Sequence, residues 1–161
     1  MKPNLKIPYA FVDGSFNPKH NIYGFGGFLV YDGEQVEGAE PTEDLKHWKI
    51  ILQGYGDDPD TALMRNVAGE ICGATYAIMK AIELGLPEIT IYYDYMGIEM
   101  WATGLWKRNK GGTIAYYDYI QSIKDIININ FVHVKGHSGI EGNEEADKLA
   151  KEAVGLEEVD E

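Results

Sequence analysis

The chain has a single cysteine, Cys72, among 161 residues, which excludes an intramolecular disulfide and any zinc site built from several thiolates. Long apolar runs are missing too. The opening residues, MKPNLKIPYAFVDGS, hold no stretch of signal-peptide length, and nothing approaches the roughly 18 consecutive apolar residues of a membrane span. A soluble protein of the reducing cytoplasm, with no membrane partner, is expected. Positive charge is scarce: 14 Lys and Arg stand against 26 Asp and Glu, a net −12 that at first argues against nucleic acid. Its distribution removes the objection. Residues 32–60 carry nine acids and two lysines, and the tail adds Glu157, Glu158, Asp160 and Glu161, so two blocks account for nearly all of the imbalance. Screening over roughly 8 Å leaves a local basic face able to bind a polyanion.

What is present is an ordinary globular composition, 45% hydrophobic and 25% charged, long enough to bury roughly 70% of its unfolded surface without a staple. One domain over 1–154, an acidic tail over 155–161 and a monomer are expected. The only low-complexity segment is that tail, and there is no internal repeat.

Period-two alternation predicts a strand over 6–12, with Ile7, Tyr9 and Phe11 on one face, stopping at Asp13-Gly14-Ser15. Apolar runs at 24–31 and 48–54 complete an antiparallel meander, joined by the acidic stretch 34–44, read as an exposed, mobile connection. Over 61–84 the period changes to helical, through Val67, Ile71, Ala74, Ile78 and Ile82, and Gly85-Leu86-Pro87 ends the helix. The unalternating run 89–93 reads as a strand buried on both faces and ends on Asp94. A short helix at 97–101, a loop at 103–113, a helix at 114–126, a strand at 129–134 and a helix at 143–153 follow. This pattern is α/β: a five-stranded mixed sheet in the order 3-2-1-4-5, strand 2 antiparallel, with helices on both faces. Ligands bind such sheets beside the switch in strand order, here between strands 1 and 4, which end at Asp13 and Asp94.

Glu70 falls on the edge of the apolar face of the first long helix, and Asp147 on the margin of the last helix's buried stripe, on the same side as Asn143. Four carboxylates can therefore converge. Such a cluster raises its own pKa values and calls for a cation. Oxygen donors without cysteine or a compact histidine set favour Mg²⁺ or Mn²⁺, and two ions about 3.5–4 Å apart suit in-line displacement at a phosphodiester. Singly, each residue has another reading: Asp13 a turn residue, Asp94 a helix N-cap, Glu70 and Asp147 rim charges, and His137 a polar loop residue. His20, His47 and His133 read as structural or exposed. It is the coincidence of four that favours chemistry.

Asp13-Gly-Ser, Arg65-Asn-Val-Ala-Gly-Glu70, Tyr92-Tyr-Asp94 and Val134-Lys-Gly-His-Ser-Gly with Asn143-Glu-Glu-Ala-Asp147-Lys-Leu-Ala resemble type 1 ribonuclease H over about 9–153. The wording is similar to a bacterial branch often joined to a viroplasmin-like N-terminal domain; with no such domain in this sequence, distributive action is expected. The resemblance implies the ribonuclease H-like fold and hydrolysis of the RNA strand of an RNA/DNA hybrid to 5′-phosphate and 3′-hydroxyl ends. It makes Asp13 a ligand shared by two Mg²⁺, with Mn²⁺ as substitute, Glu70 and Asp94 ligands on the leaving-group side, and Asp147 the ligand on the water side. His137 would assist proton transfer or product release. Asn66 matches an asparagine that reads the minor groove near the 2′-hydroxyl, and Gly14, Ser15 and Asn143 join it as expected substrate contacts.

Residues 101–113 hold Lys107, Arg108 and Lys110 without an acid, beside Trp101 and Trp106. They are the expected contact with the DNA strand, through Trp101, Lys107 and Arg108; a solvated basic loop with Trp106 and Trp101 in the core is the alternative. Tyr95 and Met96, a short basic handle and the acidic segment 34–44 depart from the family pattern and imply weaker or more salt-sensitive substrate binding. Two rivals remain at this point: a binding module without catalysis, and a nuclease of this fold acting on double-stranded RNA or DNA junctions.

Overall fold

Alternation sorts the side chains of the first strand onto two layers, Ala10 and Val12 toward one and Tyr9 and Phe11 toward the other. The computed structural model describes residues 5–107, 111–134 and 141–156. The sheet comprises β1 (Tyr9–Asn17), β2 (Ile22–Tyr31), β3 (Ala39–Pro41), β4 (Trp48–Gly56), β5 (Glu88–Tyr93) and β6 (Asn128–His133), and the helices are α1 (Pro59–Ala62), α2 (Asn66–Glu83), α3 (Gly97–Ala102), α4 (Gly111–Ile123) and α5 (Glu141–Ala153). Their spatial order is β3-β4-β2-β1-β5-β6. β2 is antiparallel to β1 and β4, whereas β1, β5 and β6 are parallel. Helices α2, α3 and α4 cover the layer around Val12, Leu29, Leu52 and Ile91. Helix α5 covers part of the other face, around Phe11, Phe28 and Val30.

The five expected strands stand in the expected order, and the sheet adds a sixth. β3 lies inside the acidic segment read as a connection, pairing with β4 through Ala39↔Ile50. Three residues are too few to show a period, and only Ala39 is buried there. A proline is compatible with this edge. The first strand does not stop at Asp13: it pairs with β2 as far as Asn17↔Ile22, while its pairing with β5 ends at Phe11↔Tyr92. Antiparallel pairing overrides the turn propensity of Asp-Gly-Ser, and Asp13 sits where one flank of β1 becomes free. The helix expected over 61–84 is broken between α1 and α2, at Arg65, whose φ of 56° is left-handed. The acidic tail from residue 157 lies outside the described residues.

The small residues of α2 decide how near it comes to the sheet. A Cβ on Gly69 would collide with the carbonyl oxygen of Gly24 on β2 and lie 3.1 Å from the Gly14 Cα on β1. Both obstacles are backbone. Gly69→Ala should therefore lower stability in urea denaturation by about 1–3 kcal/mol, although the same change in an open helix stabilises by roughly 0.5–1 kcal/mol. Gly73→Ala, where the nearest atom is a Phe25 Cβ at 3.1 Å, should cost less. Equal stability of Gly69→Ala and the parent chain would contradict the close approach.

Candidate active site

The seam between α2 and β1 places Glu70. Gly14 meets the Asn66 carbonyl and the Glu70 amide without room for a side chain, so the residue after Asp13 lies directly under the first turn of α2. Glu70 is 2% exposed, which overturns its reading as a rim charge. Its Oε1 accepts from the Tyr95 N–H at 3.3 Å, and it also accepts from the Asp94 amide. The loop after β5 thus fixes this carboxylate through backbone donors. Asp94 begins that loop and is not a helix cap: the N-cap of α3 is Met96, with no side-chain cap bond.

Asp13 projects on the α5 side of β1, where it comes within hydrogen-bonding reach of the Asp147 carboxyl, and its Oδ1 accepts from the Gly14 N–H at 2.9 Å. Asp147 is half-buried and pairs with Lys151 one turn later, at 2.9 Å. Burial raises the Asp13 carboxyl from 3.8 to about 7; the Gly14 amide opposes the shift, and the charges of Asp147 and Asp94 add to it. Burial likewise raises Glu70 from 4.5 to about 8, with the charges of Asp13 and Asp94 adding and the amides of Tyr95 and Asp94 opposing. Four carboxylates from three strands and helices and one loop therefore feel one another, and two are held partly out of water.

The donor set is hard oxygen throughout, suited to Mg²⁺ or Mn²⁺ rather than zinc. As the side chains stand, no group of three or more His, Cys, Asp or Glu among the described residues is arranged to hold a metal ion. Asp13 is the common member: it feels the charges of Asp147 and Asp94, and Glu70 feels those of Asp13 and Asp94. Two carboxyls within hydrogen-bonding reach need a proton or a cation between them, and this is the respect in which the residues fit a divalent ion.

Around this centre, Asn66 is exposed at the start of α2, immediately after the left-handed Arg65, whose guanidinium stacks 4.7 Å from the Phe16 ring centroid. Gly14 lies beneath it. Ser15 and Asn143 are buried, at 9% and 7% exposure, one on β1 and one in the first turn of α5. Trp101 is half-buried and packs on Tyr95 and Trp106 at 5.7 Å from each ring, and Lys107 is exposed beside them. Trp106 is 39% exposed, so it is not a core residue. His137 and Arg108, with Lys110, lie outside the described residues. Among the other histidines, His47 sits 3.3 Å from Asp32, His133 packs on Tyr93 and His20 is exposed.

Two contributors were missed from sequence. The Lys151 partner of Asp147 was legible as an i,i+4 pair. The Tyr95 amide was not, because its role depends on the loop after β5 reaching α2.

The raised carboxyls have a consequence for the metal-free protein. Folded Asp13 and Glu70 hold their protons more tightly than the unfolded chain does, so this contribution to stability is complete below about pH 4 and is lost as pH rises through 7 and 8. In EDTA, Glu70→Gln should melt higher than the parent near pH 8, by about 2–4 °C for each kcal/mol recovered, and the difference should vanish near pH 4. A parent that gains stability relative to this variant between pH 5 and 8 would contradict the assignment.

The model of the family described as RNase H matches residues 7–155. A Ribonuclease H of Francisella philomiragia is 28% identical over 159 residues, covering 90% of this chain and 89% of that protein. Ribonuclease H1 of Mus musculus is 36% identical over 99 residues, 54% of this chain and 34% of that protein, so the chain spans about a third of the mouse protein's length. Among solved structures, RNase H1 of Halobacterium salinarum superposes with a TM-score of 0.63 at 21% identity, covering 92% of this chain and 97% of that one. LC11-RNase H1, solved in complex with an RNA/DNA hybrid, superposes with a TM-score of 0.62 at 15% identity, covering 91% and 98%. The two structures share the fold, and the family model spans all four carboxylates: the chain belongs to the RNase H family.

Proposed function

We propose that this chain is a metal-dependent endonuclease that hydrolyses the RNA strand of RNA/DNA hybrids, acting as a monomer in the cytoplasm and leaving 5′-phosphate and 3′-hydroxyl ends. The domain is taken as 1–154, with 155–161 an acidic tail. The observation that carries the reading is the meeting of Asp13, Glu70, Asp94 and Asp147 at the switch in strand order. Asp13 and Asp147 would hold one Mg²⁺, and Asp13, Glu70 and Asp94 a second. Divalent ions at such a site supply positive charge against a phosphodiester and make water acidic enough to attack at neutral pH.

The remaining work belongs to the chain. Backbone amides of Gly14, Asp94 and Tyr95 fix two of the carboxylates, so the charge that faces substrate is preorganised. Asn66, exposed over Gly14, is aimed at the minor groove, where a 2′-hydroxyl separates RNA from DNA. Trp101 and Lys107 offer a ring and an ammonium to the other strand, the ring for a sugar and the ammonium for a phosphate. Gly14, Ser15 and Asn143, on β1 and in the first turn of α5 beside Asp13 and Asp147, are assigned to the substrate-contacting surface, with Ser15 and Asn143 largely buried before substrate arrives. His137 is assigned proton transfer or product release. The hybrid bound by LC11-RNase H1 supports the substrate class.

Labelled RNA/DNA, RNA/RNA and DNA/DNA duplexes, each with Mg²⁺, Mn²⁺ or EDTA, test this reading. Only the RNA of the hybrid should be cut, only with a metal, and Asp13→Asn should fall to the EDTA background with its fold retained. Hybrid binding without cleavage under every metal would show a binding module, and cleavage of another duplex a different nuclease. Trp101→Ala and Lys107→Ala should raise KM several-fold with kcat nearly unchanged, the mark of lost uniform binding. Lys107→Ala should also lower the slope of log affinity against log salt by about 1.

A further inference from the structure

On the face that α5 only partly covers, a groove of about 610 Å³ runs between the start of α5 and the β3 segment. Its floor is apolar: Tyr9, Phe28, Val30 and Ile51, the last 47% exposed. One wall carries Glu141 and Glu145, the other Glu40, Glu43 and Asp44. The Tyr9 phenol lies near enough to both Glu145 and Asp44 to feel their charge, so the two walls converge on the floor. The groove already shows what it accepts. The Lys49 ammonium sits 4.4 Å from the Phe28 ring centroid and 2.7 Å from the Glu145 carboxylate, an alkyl stem on an apolar floor with its head between a ring and an acid.

We propose that this groove docks a basic segment of a partner protein, an extended peptide that lays Lys and Arg stems along Tyr9, Phe28 and Ile51 and sets their heads against the carboxylates of both walls. Among the described residues Lys49 is the only cation lining it, against five acids, so the charge complementarity is to a polycation. The same acids repel a nucleic-acid backbone, which keeps this face clear while the carboxylate centre is engaged. The two places adjoin without sharing a carboxylate: the lining reaches Phe11, two residues or roughly 7 Å before Asp13 on β1, and Glu145, two residues before Asp147 on α5. A volume of this size lies in the range of specific binding clefts, roughly 300–1,000 Å³.

The isotope-labelled full chain would be titrated with Ac-Lys-Arg-Lys-Arg-Lys-amide at about 0.15 M salt, where exposed long-range attraction is screened, following backbone amides by NMR. Saturable shifts confined to Gly38, Thr42, Ile51 and Gly142 are expected. Glu40→Lys with Glu43→Lys, both exposed and outside the centre, should weaken binding at least about tenfold and leave kcat at saturating hybrid unchanged, any gain in hybrid affinity from the added positive charge showing only in KM. The paired Glu→Gln changes should weaken it in the same direction, with thermal melting checking the fold of both variants. Spermine should bind far more weakly than the peptide. Equal spermine binding would overturn the peptide assignment. Shifts spread over residues 57–60, or unchanged affinity in both double variants, would overturn the groove.

Discussion

Carboxylates withdrawn from water and set within reach of one another are unfavourable unless a proton or a cation stands between them. That constraint organises the molecule. Asp13 and Glu70 are raised toward neutrality by burial first and by neighbouring acids second, and the fold compensates only in part, with three backbone amides and the Lys151 ammonium beside Asp147. A fold that spends stability on such a cluster is suited to exchange its protons for divalent ions, and the ions proposed for it would add positive charge toward a polyanion in a chain of net −12.

Close packing delivers the convergence. Gly14 under the first turn of α2 and Gly69 against the Gly24 carbonyl let the helix approach two strands at backbone distance, and Gly26 gives α5 the same access at Leu149 and Ala150. The two helices thus bring Glu70 and Asp147 to Asp13 from opposite faces of the sheet. The end of parallel pairing at Phe11 leaves the flank of β1 open toward the loop of Asp94.

Much of this was legible beforehand, for physical reasons. Period-two alternation in β1 and β2, the unalternating β5 and the helical repeat of α2 express burial directly, so element type and sheet order followed. Residues at strand ends and on helix margins declared the four carboxylates, while the recurrence of a family pattern supplied their roles. What the residues concealed depends on tertiary contact. β3 exists because β4 offers an edge, not because Ala39-Glu40-Pro41 has strand character. β1 continues past Asp13 because β2 pairs with it, against the turn propensity of Gly14. The Tyr95 amide serves Glu70 only because the chain after β5 folds back upon α2. The alternative of Trp106 in the core fails because Tyr95, Trp101 and Trp106 pack tilted or edge-on against one another near the surface, which a run of sequence does not reveal.

Charge is segregated by face. The acidic segment and the start of α5 line a groove away from the centre, while Lys107 and the surface tryptophans flank it. The most direct test of the central claim is calorimetric titration of Mg²⁺ into the full chain near pH 7 in buffers of different ionisation enthalpy. Protons released on binding, with both binding and release lost in Asp13→Asn, are the result expected of carboxyls that titrate at about 7 and 8. Binding without proton release, or undiminished in that variant, would contradict it.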